Sequence, residues 1–149
     1  MKFLIINGPN LNMLGLREPD IYGKQDFPAL ERFIRDACRE AGVEAVLFQS
    51  NHEGAIVDKI QDAYGKIDGI VINPAAYTHT SVALLDAVKG VGIPTVEVHL
   101  SDPDTREDFR HISYVRLACL KTVKGLGFES YRQAMLFLAD YLRERENKA

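Results

Sequence analysis

The chain has little that would tie it to nucleic acid, a membrane, a metal or a nucleotide. With 18 Lys and Arg against 21 Asp and Glu in 149 residues, its net charge is -3. No basic surface is available for a polyanion, and any bound anion has to be held by local arrangement. Only two cysteines occur, Cys38 and Cys119, far apart and outside any CxxC or Cys/His pattern. Two reduced thiols are expected, not a disulfide or a zinc site. The first apolar run, Phe3-Leu4-Ile5-Ile6, is ended by Gly8-Pro9 and is too short for a signal peptide or a membrane span. A cytoplasmic protein with no membrane attachment is therefore expected. Neither GxGxxG nor GxxxxGK[ST] is present, and Pro9 removes a backbone N–H where a phosphate cradle needs one. A phosphate-accepting receiver domain needs Asp at a strand end, where this chain carries Asn7 and Asn73.

What is present reads as one α/β domain over residues 1–149, large enough to bury a real core. Hydrophobic residues at 46% and charged residues at 26% are ordinary for a soluble globular protein. Phe3 to Ile6 is the unbroken apolar run of a strand buried on both faces. Asp26 is positioned to cap a helix carrying Leu30, Phe33, Ile34 and Ala37, which Gly42 ends. Val43 to Gln49 is a second strand, and Ser50 with Glu53 has capping-box spacing ahead of Ile56, Ile60 and Ala63. Gly69 to Ile72 forms a third strand, followed by a polar loop and a helix ending near Gly90. Thr95 to His99 is a fourth strand. A short turn of helix is expected around Arg106 to Arg110, a fifth strand within Ala118 to Lys124, and a final amphipathic helix bearing Tyr131, Ala134, Met135, Leu138 and Leu142.

Strands alternating with helices predict βαβ units and a parallel sheet, with ligands bound beyond the C-terminal strand ends. The residues at or just past those ends are Asn7 to Asn10, Gln49 to Asn51, Asn73, and His99 to Ser101. Glu97 and His99 lie two apart on a strand and share a face. A carboxylate beside an imidazole fixes its tautomer and suits it to general-acid work. An isolated pair of this kind is as readily a satisfied buried carboxylate beside a surface histidine; the crowding of polar groups at one sheet edge favours the functional reading. Gly8 to Tyr22 is too long for a plain strand-to-helix link and reads as an active-site loop. Within it, Arg17 is a candidate to hold Tyr22 as tyrosinate, which needs the phenol well below its usual value of about 10, although from spacing alone a Tyr22 ring packed on the loop beside a solvated Arg17 is the commoner arrangement. Asn10, Asn12, Asn73 and Ser101 suit a hydroxylated ligand or an enolate oxygen, though such residues also form turns and caps. Arg106 and Arg110 suit a carboxylate or remain surface charges, and Asp86 reads as a solvated helix residue. His79 beside His99 makes a metal site conceivable but lacks ligand spacing.

Four segments, NGPNLNMLGLREPDIYG, FQSNHEG, INPAAYTHTSVALLDA and PTVEVHLSDPDTREDFRHISY, occur in this order. Together they resemble the type II 3-dehydroquinate dehydratases over nearly the whole chain. The resemblance implies a flavodoxin-like three-layer fold with strand order 2-1-3-4-5, and a homo-oligomer, a dodecamer built as a tetramer of trimers. It implies dehydration of a small-molecule substrate, 3-dehydroquinate, to 3-dehydroshikimate through an enolate, without metal or cofactor. By the same resemblance Tyr22 is the base, Arg17 its cationic partner, His99 the acid, Glu97 its orienting group and Asn10 the enolate stabiliser. Asn73 and His79 correspond to hydroxyl-binding positions, Leu100 and Ser101 to the carboxylate cradle, Arg110 to a further substrate contact, and Asp86 to a residue reaching the neighbouring subunit's site. The family commonly has Asn after the cradle serine where this chain has Asp102, whose charge is expected to face solvent. Two other readings keep the fold: a cofactor-free lyase or hydrolase acting on another small hydroxy acid, and a non-enzymatic binding or regulatory domain.

Overall fold

The computed structural model describes residues 1–16 and 25–149. Its centre is β1 (Lys2–Asn7), in which Phe3, Leu4, Ile5 and Ile6 are all buried. Side chains alternate across a strand, so Phe3 and Ile5 enter one core while Leu4 and Ile6 enter the other. The continuous apolar run is thus the signature of a strand with helices on both sides.

The first of those helices, α1 (Phe27–Ala41), starts where expected: Asp26 accepts a hydrogen bond from the Ala29 amide at 2.9 Å. It stops at Gly42, whose φ of 73° is left-handed. β2 (Glu44–Gln49) follows, then α2 (Glu53–Asp62). Here the anticipated capping box does not form. Ser50 Oγ accepts from the His52 amide at 3.0 Å, closing a tight turn before the helix, and His52 is the N-cap residue. β3 (Gly69–Asn73) leads through a 3-10 turn, Ala75–His79, into α3 (Val82–Val91). Ser81 caps α3 by accepting from the Leu84 amide at 3.0 Å, a signal absent from the sequence reading. The helix also runs through Gly90 and ends at Gly92, where φ is 66°, because that later glycine supplies the left-handed residue a helix end uses. β4 (Thr95–Val98) and β5 (Lys121–Val123) are joined by 3-10 turns at Pro103–Thr105, Asp108–Arg110 and Val115–Ala118, where one short helix had been expected. The long α4 (Glu129–Lys148) completes the described chain.

All strand pairs are parallel, in the order β2-β1-β3-β4-β5. With α1 and α4 on one face and α2 and α3 on the other, this is the expected flavodoxin-like three-layer arrangement. Among the described residues no helix is long and apolar enough to cross a membrane. Chain direction across the sheet reverses between β1 and β3, so a crevice opens beyond their C-terminal ends. Asn7 and Asn73 are paired neighbours at that point.

Candidate active site

The two strand ends at the crevice are tied together from below. Gly8 donates its amide to the Asn73 carbonyl at 2.8 Å, and a Cβ at Gly8 would stand 2.4 Å from the Pro74 carbonyl oxygen. Only glycine permits that approach. Beneath it the Tyr131 hydroxyl, delivered by α4, donates to Asn7 Oδ1 at 2.6 Å and accepts from Asn73 Nδ2 at 2.9 Å. Asn73 Oδ1 accepts from the Ala75 amide at 3.1 Å and helps to hold Ala75 at a left-handed φ of 52°. Burial pushes the Tyr131 phenol well above its usual range, so it stays neutral and works as a structural strut.

The third strand end in the crevice carries the carboxylate–imidazole pair. Glu97 is fully buried, and His99 Nε2 lies 2.5 Å from its Oε2. Burial by itself would raise the Glu97 carboxyl, but hydrogen bonds from His99, Arg116 and Ser113 outweigh it and hold the group at about 2. An ionised carboxylate only accepts, so the proton between the two groups belongs to His99 Nε2, and Nδ1 is left for a ligand.

Above this floor is a cleft of about 530 Å³, bordered by Asn10, Asn73, His79, His99, Leu100, Ser101, Arg106 and Arg110. His79 donates from Nδ1 to the Ile112 carbonyl at 2.7 Å, so a neutral ring presents Nε2 as an acceptor. The carbonyls of Leu100 and Ser101 are taken by the amides of Gly127 and Gly125, which anchors this segment at the rim. Arg110 pairs with Glu107 at 2.5 Å and lies over the Phe109 ring, 5.0 Å from its centroid. Asn10, at a left-handed φ of 70°, donates its amide to Asn51 Oδ1 at 3.0 Å, pinning the first loop against the end of β2. Among the described residues, no three His, Cys, Asp or Glu side chains form a group that could hold a metal ion.

The family model described as dehydroquinase class II matches residues 1–139. The chain belongs to that family. It is 49% identical over 147 residues to the 3-dehydroquinate dehydratase of Carboxydothermus hydrogenoformans, a match covering 99% of this chain and 96% of that protein. The same enzyme of Clostridium perfringens is 50% identical over 146 residues, 97% of this chain and all (100%) of the relative. Among solved structures, the type II dehydroquinase of Butyrivibrio crossotus superposes with a TM-score of 0.87 at 49% identity, covering 93% of this chain and 97% of that one.

Set against the positions that the dehydroquinase resemblance singles out, seven border one cleft: Asn10, Asn73, His79, His99, Leu100, Ser101 and Arg110. Glu97 stands behind His99. Arg17 and Tyr22 lie outside the described residues. Asp86 does not join the cleft of its own chain; it is exposed on α3, beside a groove with Val57, Gln61 and Tyr64 of the α2 side. Asp102 also stays out of the cleft lining: it caps the Pro103–Thr105 turn through the Asp104 amide at 3.0 Å and pairs with Lys124 at 3.2 Å. Sequence reasoning missed Tyr131, Ser113, Arg116 and Thr122, which support Asn73 and Glu97 from elements distant in the chain. No local spacing signals such partners.

Proposed function

We propose that this chain catalyses the anti elimination of water from 3-dehydroquinate, giving 3-dehydroshikimate, with residues 1–149 acting as one catalytic domain and no cofactor. Membership of the dehydroquinase family supports the reaction class. The observation that carries the mechanism is the Glu97–His99 pair at the floor of a cleft lined by Asn10, Asn73 and Ser101, with Arg106 and Arg110 at its border.

In this reading the Tyr22 phenolate, kept charged by Arg17, takes the proton from the carbon alpha to the ketone. The C–H electron pair moves onto the ketone oxygen as an enolate, which Asn10 stabilises through a water. On collapse of the enolate, the bond to the beta hydroxyl breaks as His99 Nδ1 gives its proton to that oxygen, and water leaves. Glu97 keeps the ring oriented. Asn73 and His79 bind ring hydroxyls, the Leu100 and Ser101 amides hold the carboxylate, and Arg110 adds a further contact. Asp86 reaches the site of a neighbouring subunit in a dodecamer built as a tetramer of trimers.

The test is near-ultraviolet absorbance on mixing the purified protein with 3-dehydroquinate in the presence of a chelator, since the conjugated enone product absorbs. A steady rise supports the reading, and a flat trace from folded, assembled protein overturns it. Tyr22→Phe is expected to bind substrate and to lose turnover; substantial activity in that variant removes Tyr22 from the mechanism.

A further inference from the structure

The Glu97 carboxylate has more partners than the orientation of one imidazole requires. Its Oε2 faces His99 Nε2 at 2.5 Å and Ser113 Oγ at 2.8 Å, while Oε1 faces Arg116 Nε and Thr122 Oγ1, both at 2.9 Å. Arg116 Nη2 also stands 3.5 Å from Oε2. An imidazole and a guanidinium thus share a single negative charge. We infer that Arg116 is a positioning residue for the reaction: by sharing the Glu97 carboxylate with His99, it sets how readily the imidazolium gives up its proton. This rests on the reading of His99 as the general acid.

Hydrogen bonding alone does not call for a cation at this place. Ser113 and Thr122 already give each carboxylate oxygen a neutral donor, and His99 supplies a third. What the guanidinium adds is a fixed positive charge, present at every working pH. A fully buried carboxylate with no second cation would hold an imidazolium tightly and make it a reluctant acid. With Arg116 on the opposite oxygen, Glu97 and Arg116 together are neutral, and His99 faces an anion whose charge is already largely matched. Arg116 is also the partner best placed to be adjusted. It arrives from the Val115–Ala118 turn, outside the sheet, and its side chain is 35% exposed while Glu97 is 0% exposed.

The other titratable groups around the pair leave this balance in place. Cys119, on the strand-five side, is pushed up to about 12 by burial and by the Glu97 charge, so it remains a neutral thiol. Asp104, from the Pro103–Thr105 turn, contributes attraction to Arg116 and is itself bound to Lys124. Tyr131 of α4 is neutral, and on the cleft side His79, Arg106 and Arg110 border the same space as His99. The anion at hydrogen-bond distance from the His99 ring is Glu97.

Arg116→Met tests the inference, with Arg116→Gln as the variant that drops the charge yet keeps a donor for Glu97, and Arg116→Lys as the variant that keeps the charge. Loss of the charge is expected to move the alkaline limb of the kcat/KM profile upward by roughly half to one pH unit, after allowance for solvent screening of a partly exposed cation. The value of kcat near neutrality should fall by about three- to tenfold, because a weaker acid protonates the leaving group more slowly, while KM stays within about twofold. Arg116→Lys should return the limb most of the way. In ligand-free protein the His99 ring nitrogens, followed by NMR, should titrate at correspondingly higher pH in both uncharged variants. If ring titration and limb stay within about 0.2 unit of the parent while thermal stability drops, Arg116 merely holds its turn and the inference fails. Should the ring titration move while the parent protein shows no turnover of 3-dehydroquinate, the coupling stands and the functional reading is the part that is wrong. Where Arg116→Met does not fold, Arg116→Gln against Arg116→Lys decides by the same two readouts.

Discussion

Glu97 is fully buried yet ionised, and that state depends on four donor residues brought from three places: His99 on the same strand side, Ser113 and Arg116 from the connection after it, and Thr122 from β5. Its folded value of about 2 lies below the ordinary 4.5, so the stabilisation it contributes is complete above 4.5 and is lost as the pH falls toward 2. The contribution is on the order of 3 kcal/mol. Glu97→Gln is therefore expected to unfold more easily in urea at pH 7, with the gap to the parent narrowing below pH 4.5. A gap that stays constant down to pH 3 would show that the charge is not what matters. The same variant should lose about a hundredfold or more in turnover, because the amide no longer holds the proton on His99 Nε2. Tyr131→Phe removes the strut between Asn7 and Asn73 and leaves two buried amide groups short of a partner. A cost of about 1–3 kcal/mol in urea unfolding, together with a raised KM, is expected.

At the scale of elements, the helix starts distinguish local signals that act from those that do not. Ser81 caps α3, and Ser81→Ala should cost about 1 kcal/mol. Ser50 holds only the turn before α2, so Ser50→Ala should cost less than about 0.5 kcal/mol. Equal losses in thermal melts would contradict this assignment of the two caps. The β1–β3 contact is stricter. Gly8→Ala drives a methyl into the Pro74 carbonyl and should cost about 1–3 kcal/mol by overpacking while widening the crevice. The Asp26 cap and the Gly42 stop of α1 were legible in advance because both are contacts within one turn. The end of α3 was not, since Gly90 and Gly92 are equally plausible stops in sequence and the choice depends on where the chain must turn toward β4.

For the whole molecule, the connection between β4 and β5 carries unusual apolar exposure. Phe109 is 63% exposed, Ile112 55% and Leu117 73%, all in the connection that also holds Arg110 and Arg116. Light scattering is expected to give twelve chains of 16.7 kDa, about 200 kDa in total. A mass of one chain with full activity would end the dodecamer proposal. Asp86 stands on α3 apart from the cleft of its own chain, so any part it plays in catalysis has to be in a neighbour's site. Asp86→Ala should leave the assembled mass unchanged and lower kcat/KM by about tenfold, the loss of one hydrogen bond from a charged group. Unchanged activity in the assembled variant would remove Asp86 from the site.

Sequence by itself determined the strands, the helices and the edge at which polar residues gather, because apolar periodicity and strand direction are properties of neighbouring residues and βαβ handedness does the rest. The pairing of Glu97 with His99 was legible for the same reason: residues two apart on a strand share a face. Only the tertiary structure decided what keeps those groups in working form. Arg116 and Thr122 reach Glu97 across 19 and 25 residues, and Tyr131 reaches Asn7 across 124. Such contacts follow from how layers stack and loops return, and a buried charge or amide takes whichever partner the packing brings within hydrogen-bond distance.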